Sequence, residues 1–146
     1  MTEVISNVSQ LNILIVEDDS MLRVVMSMQV KLAGHSFRTA ASGREALRMI
    51  KEKIPSVLIL DVLLPDMTGQ ELIEELRKSD TTSALPMIVH TALDLSADEK
   101  AQMHLGHTRF VTKTTAFSEQ LPLLITEVTT QPEETFVFQK GRPPSK

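Results

Sequence analysis

The chain has 146 residues, 42% of them apolar, a length and composition that suit one compact domain with a real core. A net charge of −4 and an aromatic set of five Phe without Trp or Tyr exclude a bulk basic face for nucleic acid and stacking platforms for single strands. The absence of cysteine excludes disulfides and thiolate metal sites.

Residues 1–10 are polar, without the basic-then-apolar order of a secretory signal, and read as a flexible N-terminal segment. No apolar run approaches the roughly 20 residues of a bilayer span, so the sequence predicts a cytoplasmic protein without membrane insertion. Ile13-Leu14-Ile15-Val16 is short and rich in β-branched residues, the pattern of a buried strand. From Ser20 to Ala33, the positions Met21, Val25, Met28 and Leu32 recur at helical spacing and make one apolar face, the kind that packs on a core. Ser36 to Ala40 alternates weakly, as an edge strand does. Arg44 to Lys53 groups Ala46, Leu47 and Ile50 on a helix that Pro55 prevents from continuing.

Val57-Leu58-Ile59-Leu60 is the next buried strand, followed by a helix from Gln70 to Lys78 with Leu72, Ile73 and Leu76 on one face. Met87-Ile88-Val89 reads as a strand, Ala97 to Leu105 as a short helix stopped by Gly106, and Phe110-Val111 as the last strand. Ser118 to Val128 closes the series, with Leu121, Leu124, Ile125 and Val128 inward and Ser118 as the N-cap. The domain thus spans residues 11–129. Residues 130–146 read as a flexible tail with one apolar patch, Phe136-Val137-Phe138.

Strand and helix alternate five times, which predicts an α/β fold: a parallel sheet, doubly wound by right-handed crossovers. Ligands of such sheets bind beyond the carboxyl ends of the strands. The residues there are Glu17, Asp18 and Asp19; Asp61; His90, Thr91 and Ala92; and Thr112 and Lys113. Crowded carboxylates call for a cation, and Mg²⁺ prefers oxygen ligands and keeps waters that a phosphate can replace. Zn²⁺ wants His or Cys, of which these strand ends offer only His90. An acidic run before a helix also caps it and complements its dipole, an alternative open for Glu17-Asp18-Asp19 taken alone.

Asp61 opens the segment Asp61-Val62-Leu63-Leu64-Pro65-Asp66-Met67-Thr68-Gly69, in which Pro65 and Gly69 shape a tight loop expected to leave the carboxylate exposed. An exposed aspartate beside Mg²⁺ can attack phosphorus in line and become an aspartyl phosphate. Thr91 offers a hydroxyl to a phosphoryl oxygen, and Lys113 a charge to its equatorial oxygens. Each is ordinary in isolation: a β-branched strand end and a solvated lysine.

Together these pieces resemble the receiver domain of two-component response regulators. The resemblance runs from about Leu11 to Val128. It rests on Ile13 to Asp19, Ala40-Ala41-Ser42-Gly43-Arg44-Glu45-Ala46-Leu47, Asp61 to Gly69, Thr91-Ala92, and Phe110-Val111-Thr112-Lys113. It implies a flavodoxin-like (βα)5 sheet with strand order 2-1-3-4-5, binding Mg²⁺. It implies further that Asp61 is the phosphoacceptor and that Asp18 is a direct metal ligand. Glu17 would act through water, and the Leu63 carbonyl would add a backbone ligand. By the same resemblance Thr91 is the switch hydroxyl, Phe110 the switch aromatic and Lys113 the conserved-role lysine. The partners it implies are a sensor histidine kinase or His-phosphotransfer protein and an effector protein. The chain would then catalyse only its own phosphorylation and dephosphorylation. Nothing after Val128 resembles a helix-turn-helix, so direct DNA binding is not expected. One departure is Lys113-Thr114-Thr115, where the family usually has proline after the lysine. A cis bond before a non-proline residue costs about 3 kcal/mol, so a trans Lys113-Thr114 bond is expected.

Leu63 and Leu93 each stand two residues beyond a site residue, and in the family those positions flank the path of the hydrolytic water. Two apolar side chains there predict a long-lived phosphoryl state. Two other function classes compete. A phosphorylation-independent interaction module on the same fold fits the missing proline. An aspartate-nucleophile phosphatase would want a second Asp two residues after the first, where Leu63 stands. His104 and His107 read as surface or helix-end residues.

Overall fold

The computed structural model describes residues 10–91, 96–98, 108–112 and 117–130. Five strands, β1 (Asn12–Val16), β2 (Ser36–Ala40), β3 (Val57–Asp61), β4 (Met87–Thr91) and β5 (Thr108–Thr112), form one parallel sheet. Its order is β2-β1-β3-β4-β5, so the chain reverses its winding direction after β2, and the switch point lies between β1 and β3. The helices with full bounds are α1 (Ser20–Leu32), α2 (Gly43–Glu52), α3 (Gly69–Arg77) and α4 (Phe117–Thr130). None of the described helices is long and apolar enough to cross a membrane.

β1 and β3 are buried on both faces because alternate residues feed two cores. Leu14, Val16, Leu58 and Leu60 point to one side with Ala46, Ile50, Leu72, Ile73 and Phe110. Ile13, Ile15, Val57 and Ile59 point to the other, with Met26 and Val30 of α1 and Leu121, Leu124, Ile125 and Val128 of α4. That double coverage explains the unbroken apolar runs in the sequence.

The apolar face expected of α1 is not the one it buries. Met21 and Leu32 are 77% and 78% exposed, and Val25 and Met28 are also exposed, whereas Met26, Ser27 and Val30 face the sheet. Two apolar stripes compete on this helix, and the sheet accepts the smaller one. Ser27 enters the interior because its hydroxyl donates to the Arg23 carbonyl at 2.7 Å, so no polar group is left unpaired there. α1 stops at Gly34, whose φ of 94° is left-handed and suits a residue without Cβ.

Helix starts follow their caps. Asp19 caps α1, accepting from the Met21 and Leu22 N–H groups at 2.9 and 3.1 Å. Ser42 caps α2 through Glu45 N–H, and Thr68 with Glu71 forms a reciprocal capping box on α3. α4 begins at Phe117, one residue before the Ser118 expected to precede it, so Ser118 falls inside its first turn. Ala97 and Asp98 are helical, and the rest of the segment expected to run to Leu105 lies outside the described residues. So do the N-terminal segment up to residue 9, Ala92, Leu93, His104, His107, Lys113, the Lys113-Thr114 bond and the tail from residue 131.

Candidate functional site at the carboxyl edge of the sheet

The parallel pairing brings the ends of β1, β3 and β4 together. Val16 pairs with Leu60, and Asp61 pairs with His90, so Glu17, Asp61 and His90 share one edge. Glu17 and His90 are wholly buried and Asp61 is 5% exposed. Donor atoms from all three lie within 4.8 Å of one another. The Glu17 carboxylate sits between two partners: Oε2 accepts the Asp19 backbone N–H at 3.1 Å, and Oε1 stands 3.6 Å from His90 Nε2. The Glu17 backbone is fixed as well, its N–H donating to Ala40 of β2 at 3.0 Å and its carbonyl accepting from Arg23 at 2.7 Å.

Asp61 belongs to the strand, as its last residue, and the expectation of an exposed carboxylate is corrected to a buried one. The reason is the loop that follows. Leu63 N–H donates to Asp61 Oδ1 at 3.1 Å, Leu63 bridges to Thr68, and Gly69 N–H donates back to the Val62 carbonyl at 2.7 Å. The loop therefore folds back on the strand end, which it can do because residue 69 lacks a side chain. A Cβ there would stand 2.7 Å from Val62 Cα and 3.1 Å from the Asp61 carbonyl oxygen.

Asp18 is exposed and stands outside the buried trio, and Asp19 serves α1 as its cap. Leu63 is 54% exposed, with its N–H committed to Asp61. Thr91 ends β4 opposite Thr112 of β5. Phe110 is buried in the core between the sheet and α2 and α3. Two residues of this edge were not singled out from the sequence as site residues. In the sequence His90 is a lone histidine, although the strand register that pairs Leu60 with Val89 sets it beside Asp61. Asp66, inside the loop after Asp61, accepts from Gly43 and Arg44 N–H groups, both at 2.9 Å. These two backbone donors, Arg44 first, hold its carboxyl below the ordinary value of 3.8.

The donor chemistry fits a divalent cation: two buried carboxylates, with a third, exposed one at Asp18 next to Glu17 in the chain. The family described as "Response regulator receiver domain" matches residues 13–124. The transcriptional regulatory protein AfsQ1 of Streptomyces coelicolor is 32% identical over 102 residues, covering 70% of this chain and 44% of that protein. The probable transcriptional regulatory protein TcrX of Mycobacterium tuberculosis is 33% identical over 107 residues, covering 73% of this chain and 45% of that protein. The chain thus spans less than half the length of these curated relatives. Among solved structures, the chemotaxis response regulator CheY4 of Vibrio cholerae superposes with a TM-score of 0.74 at 27% identity, covering 82% of this chain and 99% of that one. The response regulator TrrA of Thermotoga maritima, solved in complex with Mg²⁺-BeF, gives 0.70 at 25% identity over 80% of this chain and 97% of that one. A family match over most of the chain, with relatives and solved structures of the same kind, shows that this protein belongs to the response regulator receiver domains.

Proposed function

We propose that the protein is a phosphorelay receiver that accepts a phosphoryl group on Asp61 from a phosphohistidine of a sensor kinase or phosphotransfer protein. The observation that carries this reading is the placement of Asp61. Its carboxylate ends β3, is oriented by the Leu63 N–H, and lies against Glu17 at the strand edge where an α/β sheet binds its ligands. In the transfer, an Asp61 carboxylate oxygen attacks phosphorus in line and the P–N bond of the donor breaks. The electron pair stays on the departing imidazole, and an acyl phosphate remains on Asp61.

Mg²⁺, held by Glu17, Asp18, Asp61 and the Leu63 carbonyl, would neutralise the charge gathering on the phosphoryl oxygens. Thr91 and Lys113 would bind those oxygens. Movement of Thr91 toward them would re-pack Phe110 and so change the surface offered to an effector protein, which is the switch. The acidic, cysteine-free composition supports a cytoplasmic setting.

The test is intact mass after incubation with acetyl phosphate or phosphoramidate and Mg²⁺, with Asp61→Asn alongside. One phosphate gained by the wild type, absent from the variant and without Mg²⁺, is expected. No gain from these donors or from a cognate kinase, on a folded protein that binds Mg²⁺, would overturn the reading in favour of a phosphorylation-independent interaction module.

A further inference from the structure

His90 is the one member of the buried trio to which the phosphoacceptor chemistry gives no task. It is wholly buried at the end of β4, paired in register with Asp61, with Nε2 3.6 Å from Glu17 Oε1. Its ring sits among two carboxylates whose donor atoms and its own lie within 4.8 Å of one another. Two donors bound to one ion at about 2.1 Å stand about 3.0 Å apart in cis octahedral positions and about 3.4 Å apart in tetrahedral ones. The Glu17–His90 separation of 3.6 Å is already close to the second of these, and an Asp61 carboxylate oxygen lies within 4.8 Å of both donors. A strand-borne ring in a packed interior is also pre-positioned, so little freedom remains to be lost on binding.

The nitrogen matters because it separates classes of ion. Mg²⁺ prefers oxygen donors and keeps its waters, whereas first-row divalent transition ions accept imidazole readily. We propose that Glu17, Asp61 and His90 form a mixed nitrogen–oxygen site that takes a first-row divalent transition ion by direct coordination through His90 Nε2. The inference rests on the metal-assisted reading of Asp61 and deepens it: the same edge would bind such an ion more tightly than Mg²⁺. The competing role for His90 is a hydrogen bond that holds Glu17 and never touches metal.

Mn²⁺ is the probe, because its electron spin echo is modulated by a directly bound imidazole nitrogen. The full chain loaded with Mn²⁺ should show this nitrogen coupling, and His90→Leu should lose it. The same change should weaken Mn²⁺ binding by roughly tenfold to a hundredfold in calorimetry. Mg²⁺ binding should weaken by less than about threefold, since its ligands are oxygens and the imidazole is not among them. His90→Gln, which keeps a polar side chain, should lose the coupling too and serves if the leucine variant does not fold. Mn²⁺ bound without nitrogen coupling, or with coupling that survives both substitutions and so comes from His35, His104 or His107, overturns the inference. Mg²⁺-dependent phosphorylation of Asp61 would then still stand. Failure of both ions to bind would sink the metal reading of the whole edge.

Discussion

Asp66 reaches across from the loop after β3 to the start of α2, where its Oδ1 accepts the Gly43 N–H at 2.9 Å. Its Oδ2 accepts the Arg44 N–H at 2.9 Å, and the Arg44 guanidinium stands 4.0 Å away. Two helix N-terminal donors are satisfied by the loop that follows the Asp61 strand end, so the loop and α2 are braced against each other. Gly43 permits the approach, since a Cβ on it would run into Met67.

The sign of the pH effect follows from the direction of the Asp66 shift. Its carboxyl is held below 3.8, by the Arg44 and then the Gly43 N–H, so the folded state binds this proton less readily than the unfolded chain. Its contribution is present above 3.8 and is lost as pH falls through the lower folded value. Asp66→Ala should lower the urea midpoint at pH 7, and the gap to the wild type should shrink toward pH 3. A gap that stays constant down to pH 3 would show that the contact contributes nothing as a charge. Loosening this brace should also slow phosphorylation of Asp61, measured by intact mass over time.

The fold was largely legible because its signals are local. Buried strands such as Val57 to Leu60 read as unbroken apolar runs, and the carboxyl ends of those runs carry the acids. What the sequence does not reveal is which stripe of α1 meets the sheet. Met21, Val25, Met28 and Leu32 score well by spacing, yet Met26 and Val30 are the residues with no exposure. Spacing counts apolar residues around a helix, but burial is decided by the sheet opposite and by Ser27 being able to bond its own helix. His90 stayed obscure for a related reason: in a strand covered on both faces, neither alternation nor polarity tells which side a given residue takes.

That assignment has a stability test. Leu32→Lys and Met21→Lys should change unfolding free energy by less than about 0.5 kcal/mol, as exposed substitutions do. Met26→Ala, which empties a fully buried site, should cost about 2–5 kcal/mol. Chemical denaturation of the three variants decides it. A large loss from Leu32→Lys with little from Met26→Ala would mean that α1 packs through the opposite stripe.

Leu63 bears on how long a phosphoryl group would stay. Its N–H is bound to Asp61 Oδ1, while its side chain is half exposed above the strand edge. We expect an apolar group there to obstruct an incoming water, to which it offers no hydrogen bond. Leu63→Asn should leave the fold intact, because an exposed side chain is replaced by a smaller polar one, and should speed dephosphorylation several-fold. The decay of the phosphorylated mass after removal of donor measures it, and an unchanged decay rate would refute the obstruction.

His35 sets a second pH dependence, opposite in direction from that of a paired histidine. The ring is 8% exposed just beyond α1, and its Nδ1 accepts the Leu11 N–H at 3.0 Å, which ties the start of β1 to the turn before β2. Burial disfavours the imidazolium and lowers the His35 pKa from 6.5, and the Leu11 bond is one that only an unprotonated Nδ1 can accept. Lys31 lines the same hollow and brings no negative charge to offset this. Between the lowered folded value and 6.5 the unfolded chain binds the proton and the folded chain does not. The contribution of His35 is therefore complete above 6.5 and is lost as pH falls through that window. The slope cannot exceed about 1.4 kcal/mol per pH unit, the limit for one proton. Urea midpoints from pH 8 to pH 5 should fall more steeply for the wild type than for His35→Gln, whose amide oxygen can accept from Leu11 without titrating. Equal slopes would mean that the ring takes up its proton as easily folded as unfolded, with the Leu11 bond broken at no cost.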